Sequence, residues 1–327
     1  MFGNCKNEIL SSARVAVGQC LAVKPKEQVL IVTDPVCCTV AEALYQAALE
    51  KEAEPIFLLM EPREAIGSEP PPLVAQAIRA ADVAFLPVSK SLTHTVARRK
   101  ATETGTRIAS LPGITEDIMA RAVGTDYKNI ADLTRKLSRI MENQETVVIT
   151  AAAGTDLTME ITGRPLIEDT GLYTEPGEWG NLPAGEVYVA PIEGSANGHL
   201  VVDGSLAGIG LLTSPVTVEI RDGLAVSFSG GSEAERLREI LDQAGPEGRN
   251  VAELGIGTNT SARLSGNILE DEKVLGTIHV AFGANASFGG RVQVGCHIDG
   301  IVLKPTLHIG DRPILIEGEV LFDHPTS

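Results

Sequence analysis

An α/β domain of the parallel-sheet kind, followed by a β-rich domain, is what the sequence predicts from three observations. Short apolar runs alternate with longer amphipathic stretches through the first part of the chain. Past a polar-flanked helix the texture changes to brief β-branched segments separated by glycine. The length of 327 residues exceeds what single hydrophobic cores usually reach, which favours two domains.

In chain order, VLIVTD (29–34) precedes VAEALYQAALEKEA, PIFLLM (55–60) precedes PPLVAQAIRAA, VAFLPV (83–88) precedes THTVARRKATETG, and RIASLP (107–112) precedes TEDIMARAV. Buried parallel strands read as continuous apolar runs, and each helix carries the chain back to start the next strand. The first domain therefore reads as Rossmann-like or flavodoxin-like. It lacks a G-x-G-x-x-G turn and a P-loop, since Thr33-Asp34-Pro35-Val36 offers no glycine that would bring backbone amides to phosphate. No nucleotide cofactor is expected. Asp34 faces a ligand or, the preferred reading, starts a turn and caps the next helix.

The helix NIADLTRKLSRIMENQE (129–145) closes this part, and the boundary is placed near Gln144, giving domains 1–144 and 145–327. Beyond it come TDLTMEITG, GEVYVAP, GHLVVDGS, VTVEIRDG and AVSFSGG, one helix, SEAERLREILDQAG, then AELGIGT, TIHVAFG, VQVGCHIDG, IVLKPTLHIG and PILIEGEVLF. Many short strands joined by Asp-Gly, Gly-Asp and Gly-Gly turns predict an antiparallel, barrel-like or sandwich-like domain.

Composition narrows the function. Lys and Arg number 27 against 43 Asp and Glu, a net charge of −16, which excludes a phosphate backbone as partner. Five cysteines without Cys-x-x-Cys spacing suit a reducing compartment. Neither a signal-peptide pattern nor an apolar run of membrane-spanning length occurs, so a cytoplasmic location without membrane attachment is expected.

Chemistry concentrates in the second half, which holds five of the six histidines. In Cys296-His297-Ile298-Asp299-Gly300, residues two apart on a strand share a face, so His297 and Asp299 present nitrogen and oxygen ligands side by side, or form a solvated pair leading into a turn. His279 shares a face with Thr277 and Ala281, opposite Ile278, Val280 and Phe282, as a ligand or as a half-buried residue. Glu253 opens an otherwise apolar strand, where an unpaired charge is costly to bury, and Glu186 has the same character. Three carboxylates and two imidazoles suit zinc, cobalt, manganese or iron in a one- or two-metal centre.

At these residues the chain resembles the aminopeptidase T and aminopeptidase S family of dinuclear metallo-exopeptidases. The match is carried by NLPAGEVYVAP, AELGIGTN, NILEDEK, TIHVAFG and HIDGIVLKP, in that order. The resemblance implies metal ligation by Glu186, Glu253, His279, His297 and Asp299, a homodimer, and hydrolysis of small peptides by water activated at two zinc, cobalt or manganese ions. Two departures bear on this. The family's metal-proximal tyrosine falls on Ala286, and only 18 residues separate His279 from His297. A second branch of the superfamily contains iron(II) ring-opening dioxygenases of dihydroxypyridines, with a histidine where Glu253 stands here. That carboxylate, with His279 retained, points to the hydrolase side.

For the general base, Asp271 and Glu272 in LEDEK are the candidates, against their reading as a charged turn. Lys304 neutralises a substrate carboxylate or oxyanion, or is a surface lysine. Trp179 and Asn181 sit in a loop leading to Glu186 and line the pocket, or the tryptophan anchors packing. A binding protein in which His297 and Asp299 are merely structural is the competing class.

Overall fold

The computed structural model describes residues 7–321. The chain divides into two compact units, residues 1–131 with 169–184, and residues 132–168 with 185–327. The first unit takes its last strand from a segment some forty residues past the division, an excursion that a strand-by-strand reading of the sequence cannot show.

The first unit is built on a five-stranded parallel sheet. Strand Gln28–Thr33 lies between Glu54–Leu59 and Val83–Leu86, followed outward by Arg107–Ser110 and Trp179–Asn181. That is the flavodoxin-like order, second strand, first, third, fourth, fifth. All four strand–helix alternations of the sequence appear, with helices Cys38–Glu50, Pro72–Ala80 and Val96–Glu103 and a short helix from Glu116 that continues as a wider turn to Val123. Strand residues such as Ile31, Phe85 and Ile108 are wholly buried, as a sheet covered on both faces requires.

Asp34 has the structural role. Its Oδ1 accepts the amides of Val36 and Cys37, forming the turn ahead of the helix, and its Oδ2 accepts the amide and hydroxyl of Ser89. Trp179 and Asn181, expected in a pocket-lining loop, instead form the outer strand beside Ile108 and Ser110. The guanidinium of Arg98 lies 3.6 Å over the Trp179 ring, a packing anchor. The open edge beside Arg107–Ser110 needs a partner for its backbone groups, and this segment supplies it.

The second unit holds an eight-stranded and a seven-stranded sheet. They enclose one core that includes Val147, Leu157, Leu200, Val218, Leu254, Val280, Val302 and Leu307. Both sheets are open, so the β-rich half takes the sandwich form. Helix Ser232–Gln243 buries Ala234, Leu237 and Leu241 at this core, an i, i+3, i+7 stripe. Among the described residues no helix is long and apolar enough to cross a membrane, and Cys20, Cys37, Cys38 and Cys296 are unpaired. Cys5 and His324 lie outside the described residues.

Candidate metal centre

Four adjacent antiparallel strands of the seven-stranded sheet carry the site: Glu186–Val189, Val251–Gly257, Ile278–Gly283 and His297–Val302. Residues paired across a sheet share a face. Gly257 lies opposite Glu186, Gly255 opposite both Tyr188 and His279, Ala281 opposite both Glu253 and Asp299, and Gly283 opposite His297. The alternate residues Val187, Val189, Leu254, Ile256, Val280 and Phe282 are in the hydrophobic core. One face is therefore a core wall, and the other holds every candidate ligand.

Glu253 reaches the polar face through a bulge. The register shifts between Val251 and Glu253, so Val251 pairs with Phe282 on the core side while Glu253, two residues on, pairs with Ala281 on the other. A regular strand would send both to one face; the extra residue, Ala252, separates them.

Glu253, His297 and Asp299 can each offer one ligand atom, with the three atoms within 4.8 Å of one another. Nε2 of His297 stands 3.3 Å from Glu253 Oε2 and 3.3 Å from Asp299 Oδ1. Its Nδ1 donates to the backbone oxygen of Ala284 at 2.8 Å, which fixes the tautomer and turns Nε2 towards the carboxylates. One imidazole and two carboxylates, buried and oriented in this way, fit a divalent metal ion.

His279 is held differently. Its Nε2 donates to Glu253 Oε1 at 3.2 Å and stands 3.4 Å from Glu186 Oε2, while its buried Nδ1 has no hydrogen-bond partner. The orienting bond made by His297 is missing here, and His279 acts in this structure as a donor to Glu253. A glycine at 255 is required, because a Cβ there would lie 2.0 Å from two atoms of the imidazole.

Glu186, the remaining expected ligand, is engaged by Lys273, whose Nζ lies 2.6 Å from Glu186 Oε1 and 2.6 Å from Glu272 Oε1. Of the two residues read as a charged turn, Glu272 stands in the turn that follows a short helix, Ile268–Asp271, while Asp271 ends the helix itself; Glu270, Asp271 and Lys273 are buried. Asp271 is consumed by structure, accepting from the Ser265 and Gly266 amides and the Ser205 hydroxyl. Glu270 accepts from the Arg263 amide, and Lys273 is shared between Glu272 and Glu186. Lys304 is not brought into the cluster; it stands exposed after the His297 strand, with φ of 44°.

Electrostatics follow the pairing. Burial would raise Asp299, but His297 outweighs it and holds the carboxyl down at about 2. Burial likewise opposes the lowering of Glu253 by its bonds from His279 and His297. Burial disfavours the charged imidazoles, yet Glu253 and Glu186 lift His279 to about 9, and Asp299 and Glu253 lift His297 well above its ordinary value. Burial pushes Glu272 up to about 8 against the pull of Lys273. The cluster as a whole draws positive charge, whether protons or a metal ion.

The sequence reading missed Lys273 and Phe288. The Phe288 ring stands edge-on to His297 at 5.9 Å between centroids and to Tyr188 at 5.5 Å. It comes from a turn, Ala286–Phe288, in the loop between the two histidine strands. Glu193 ties this loop down, accepting from Asn285 Nδ2 at 3.1 Å, from the Arg291 amide at 2.8 Å, and from Arg164.

A parallel-sheet unit, a unit of two antiparallel sheets, and a carboxylate–histidine cluster able to hold a metal ion together define a mixed α/β protein with a candidate metal centre. The chain belongs to the 2,5-dihydroxypyridine 5,6-dioxygenase (NicX) family, whose model matches residues 10–322. A 2,5-dihydroxypyridine 5,6-dioxygenase from Pseudomonas putida is 26% identical over 264 residues, covering 75% of this chain and 73% of that protein. The solved structure of 2,5-dihydroxypyridine dioxygenase from Pseudomonas putida superposes with a TM-score of 0.81 at 20% identity, over 96% of each chain. AmpT from Thermus thermophilus superposes with a TM-score of 0.72 at 18% identity, over 96% of this chain and 99% of its own, a likeness of fold.

The expectation of peptide hydrolysis is overturned by this family membership. It leaned on the carboxylate at Glu253 and on His279 as a ligand. One side-chain type in a ligand set does not define a reaction, and His279 lies outside the set that converges.

Proposed function

We propose that this chain is an iron-dependent ring-cleaving dioxygenase of a dihydroxylated pyridine or a closely similar N-heteroaromatic ring. The observation that carries the proposal is the convergence of Glu253, His297 and Asp299 on one face of a chain matching the dioxygenase family along nearly its whole length. These three side chains would hold the ion. Bound iron supplies the redox chemistry by which O2 reacts with the ring, both oxygen atoms entering the opened product.

The remaining groups position and move protons. Glu272, lifted to about 8 by burial, keeps its carboxyl largely protonated near neutral pH and so offers a proton to a ring oxygen. Lys273 Nζ, 2.6 Å from Glu272 Oε1, steadies the carboxylate that forms when the proton is given up. Phe288, edge-on to His297, gives a flat aromatic ring an apolar surface and screens the cluster from water.

The test is oxygen uptake. The protein is loaded anaerobically with iron(II) and mixed with 2,5-dihydroxypyridine and O2, following oxygen and the ring absorbance together. One O2 consumed per ring lost is expected, with His297→Ala inactive. A folded, iron-loaded protein that consumes no oxygen with any dihydroxypyridine would overturn the proposal.

A further inference from the structure

The loop between the two histidine strands is pinned at two points. Glu193 holds its base, accepting from Asn285 Nδ2 and from the Arg291 amide, while Asn285 closes the loop on itself through the Phe288, Gly290 and Val292 amides. Ala284, whose oxygen orients His297, adjoins that base. Arg164 holds the tip. Its Nη1 donates to the Gly289 oxygen and its Nη2 to Glu193, and its side chain is 13% exposed.

Pro165, the next residue, meets the same glycine by packing. A Cβ at Gly289 would lie 2.5 Å from Pro165 Cγ and 2.6 Å from its Cδ, and Gly289 has φ of 106°, a conformation that strains any other residue. Arg164 and Pro165 therefore fix the residue immediately after Phe288, one by a charge-assisted hydrogen bond and the other by contact. On its other side the Phe288 ring meets Tyr188 and His297 edge-on. Phe288 and Tyr188 are half-buried and His297 exposes 32% of its side chain, so this group of rings is open to a ligand beside the converging carboxylates.

We propose that Arg164 is a positioning residue for the substrate: through Gly289 it sets the Phe288 ring as the wall against which a flat aromatic substrate lies beside His297. The inference rests on the reading of the site as one for a dihydroxylated N-heteroaromatic ring and adds a residue that selects it. A wall held in place before binding spares the ring the cost of ordering the loop. Removing the guanidinium frees Gly289, while Glu193 keeps Asn285 and Arg291, so Ala284 and His297 stay where they are. Ring binding and metal binding are thereby separated.

Calorimetry reads the two affinities without turnover. Wild type and each variant are saturated with manganese(II) in a first titration and, with oxygen excluded, titrated with 2,5-dihydroxypyridine in a second. Arg164→Ala is expected to keep its manganese affinity within about twofold and to lose about tenfold in ring affinity, the fold-change of an aromatic contact. Phe288→Ala is expected to lose as much, and Arg164→Ala made in the Phe288→Ala background to lose less than about twofold more. Unchanged ring affinity in Arg164→Ala, a larger further loss in the double variant, or a manganese affinity that falls together with the ring affinity would overturn the inference and leave the dihydroxypyridine reading standing. No ring binding by the manganese-loaded wild type would overturn both. Should circular dichroism show Arg164→Ala unfolded, Gly289→Ala, which drives the loop tip off Pro165, carries the same comparison with the same outcomes.

Discussion

Replacing Gly255 by alanine would put a methyl carbon 2.0 Å from both Cε1 and Nε2 of His279 and 2.9 Å from its Cδ2. No rotamer of alanine relieves this, so the imidazole must leave its place or the strand must shift. Either way the buried bond from His279 to Glu253 is broken. A hydrogen bond to a charged group contributes about 1.5–3 kcal/mol. Overpacking a dense region costs about another 1–3 kcal/mol. At roughly 2–4 °C per kcal/mol for a unit of this size, the melting temperature should fall by on the order of 10 °C. The assay is thermal unfolding with chelator present, so that metal binding does not add to the native state. In a His279→Ala background the same glycine substitution should cost less than about 1 kcal/mol, since the clashing ring is gone. Melting of Gly255→Ala within 2 °C of wild type, or equal cost in both backgrounds, would refute the packing of His279 on the Gly255 α-carbon.

Further outcomes follow from the same geometry. His297, which Asp299 and Glu253 hold well above its ordinary value against burial, must release a proton before Nε2 binds a metal. Manganese affinity should therefore rise about tenfold per pH unit below neutrality, checked by calorimetry in buffers of different ionisation heat; a pH-independent affinity would count against this ligand. Glu272, raised to about 8 by burial, ionises near 4.3 when unfolded. Its favourable contribution is complete below about 4.3 and is lost as pH rises through about 8. Glu272→Gln should gain stability over wild type between pH 5.5 and 8, by on the order of 2–3 kcal/mol, and a constant difference in metal-free denaturation would refute the shift. Glu193→Ala should free the Phe288 loop and loosen Ala284 under His297, weakening manganese binding roughly 10- to 100-fold in a chelator competition. Unchanged affinity there would show that the loop does not orient His297.

Local pattern made much of this molecule legible. The four strand–helix alternations are written in apolar runs and amphipathic periods, and each appears in the parallel sheet. Period-two alternation placed His279, His297 and Asp299 on a face, and the cost of burying a lone carboxylate marked Glu253. What remained hidden depends on pairing between distant segments. The bulge at Ala252 turns Glu253 away from Val251 only because of how the neighbouring strand registers. Lys273 sits in a charged run that looks solvated until Glu186, 87 residues earlier, is brought against it. Trp179 reads as loop because three residues are too short to signal a strand, and their partner is Ile108. The reaction class lay beyond ligand types altogether, since carboxylates and imidazoles serve hydrolysis and oxygen chemistry alike.

The return of residues 169–184 to the first unit also sets a timetable for synthesis. Strand Arg107–Ser110 leaves the ribosome long before its neighbour Trp179–Asn181, about 70 residues behind. At about 5–20 residues per second, the nascent chain carries a bare parallel edge for roughly 4–14 s. Throughout that interval the backbone groups around Ile108 are open to pairing with any extended strand nearby. A fragment ending at residue 131 would keep that edge permanently, so truncated products of this chain should aggregate where the full-length chain stays dispersed.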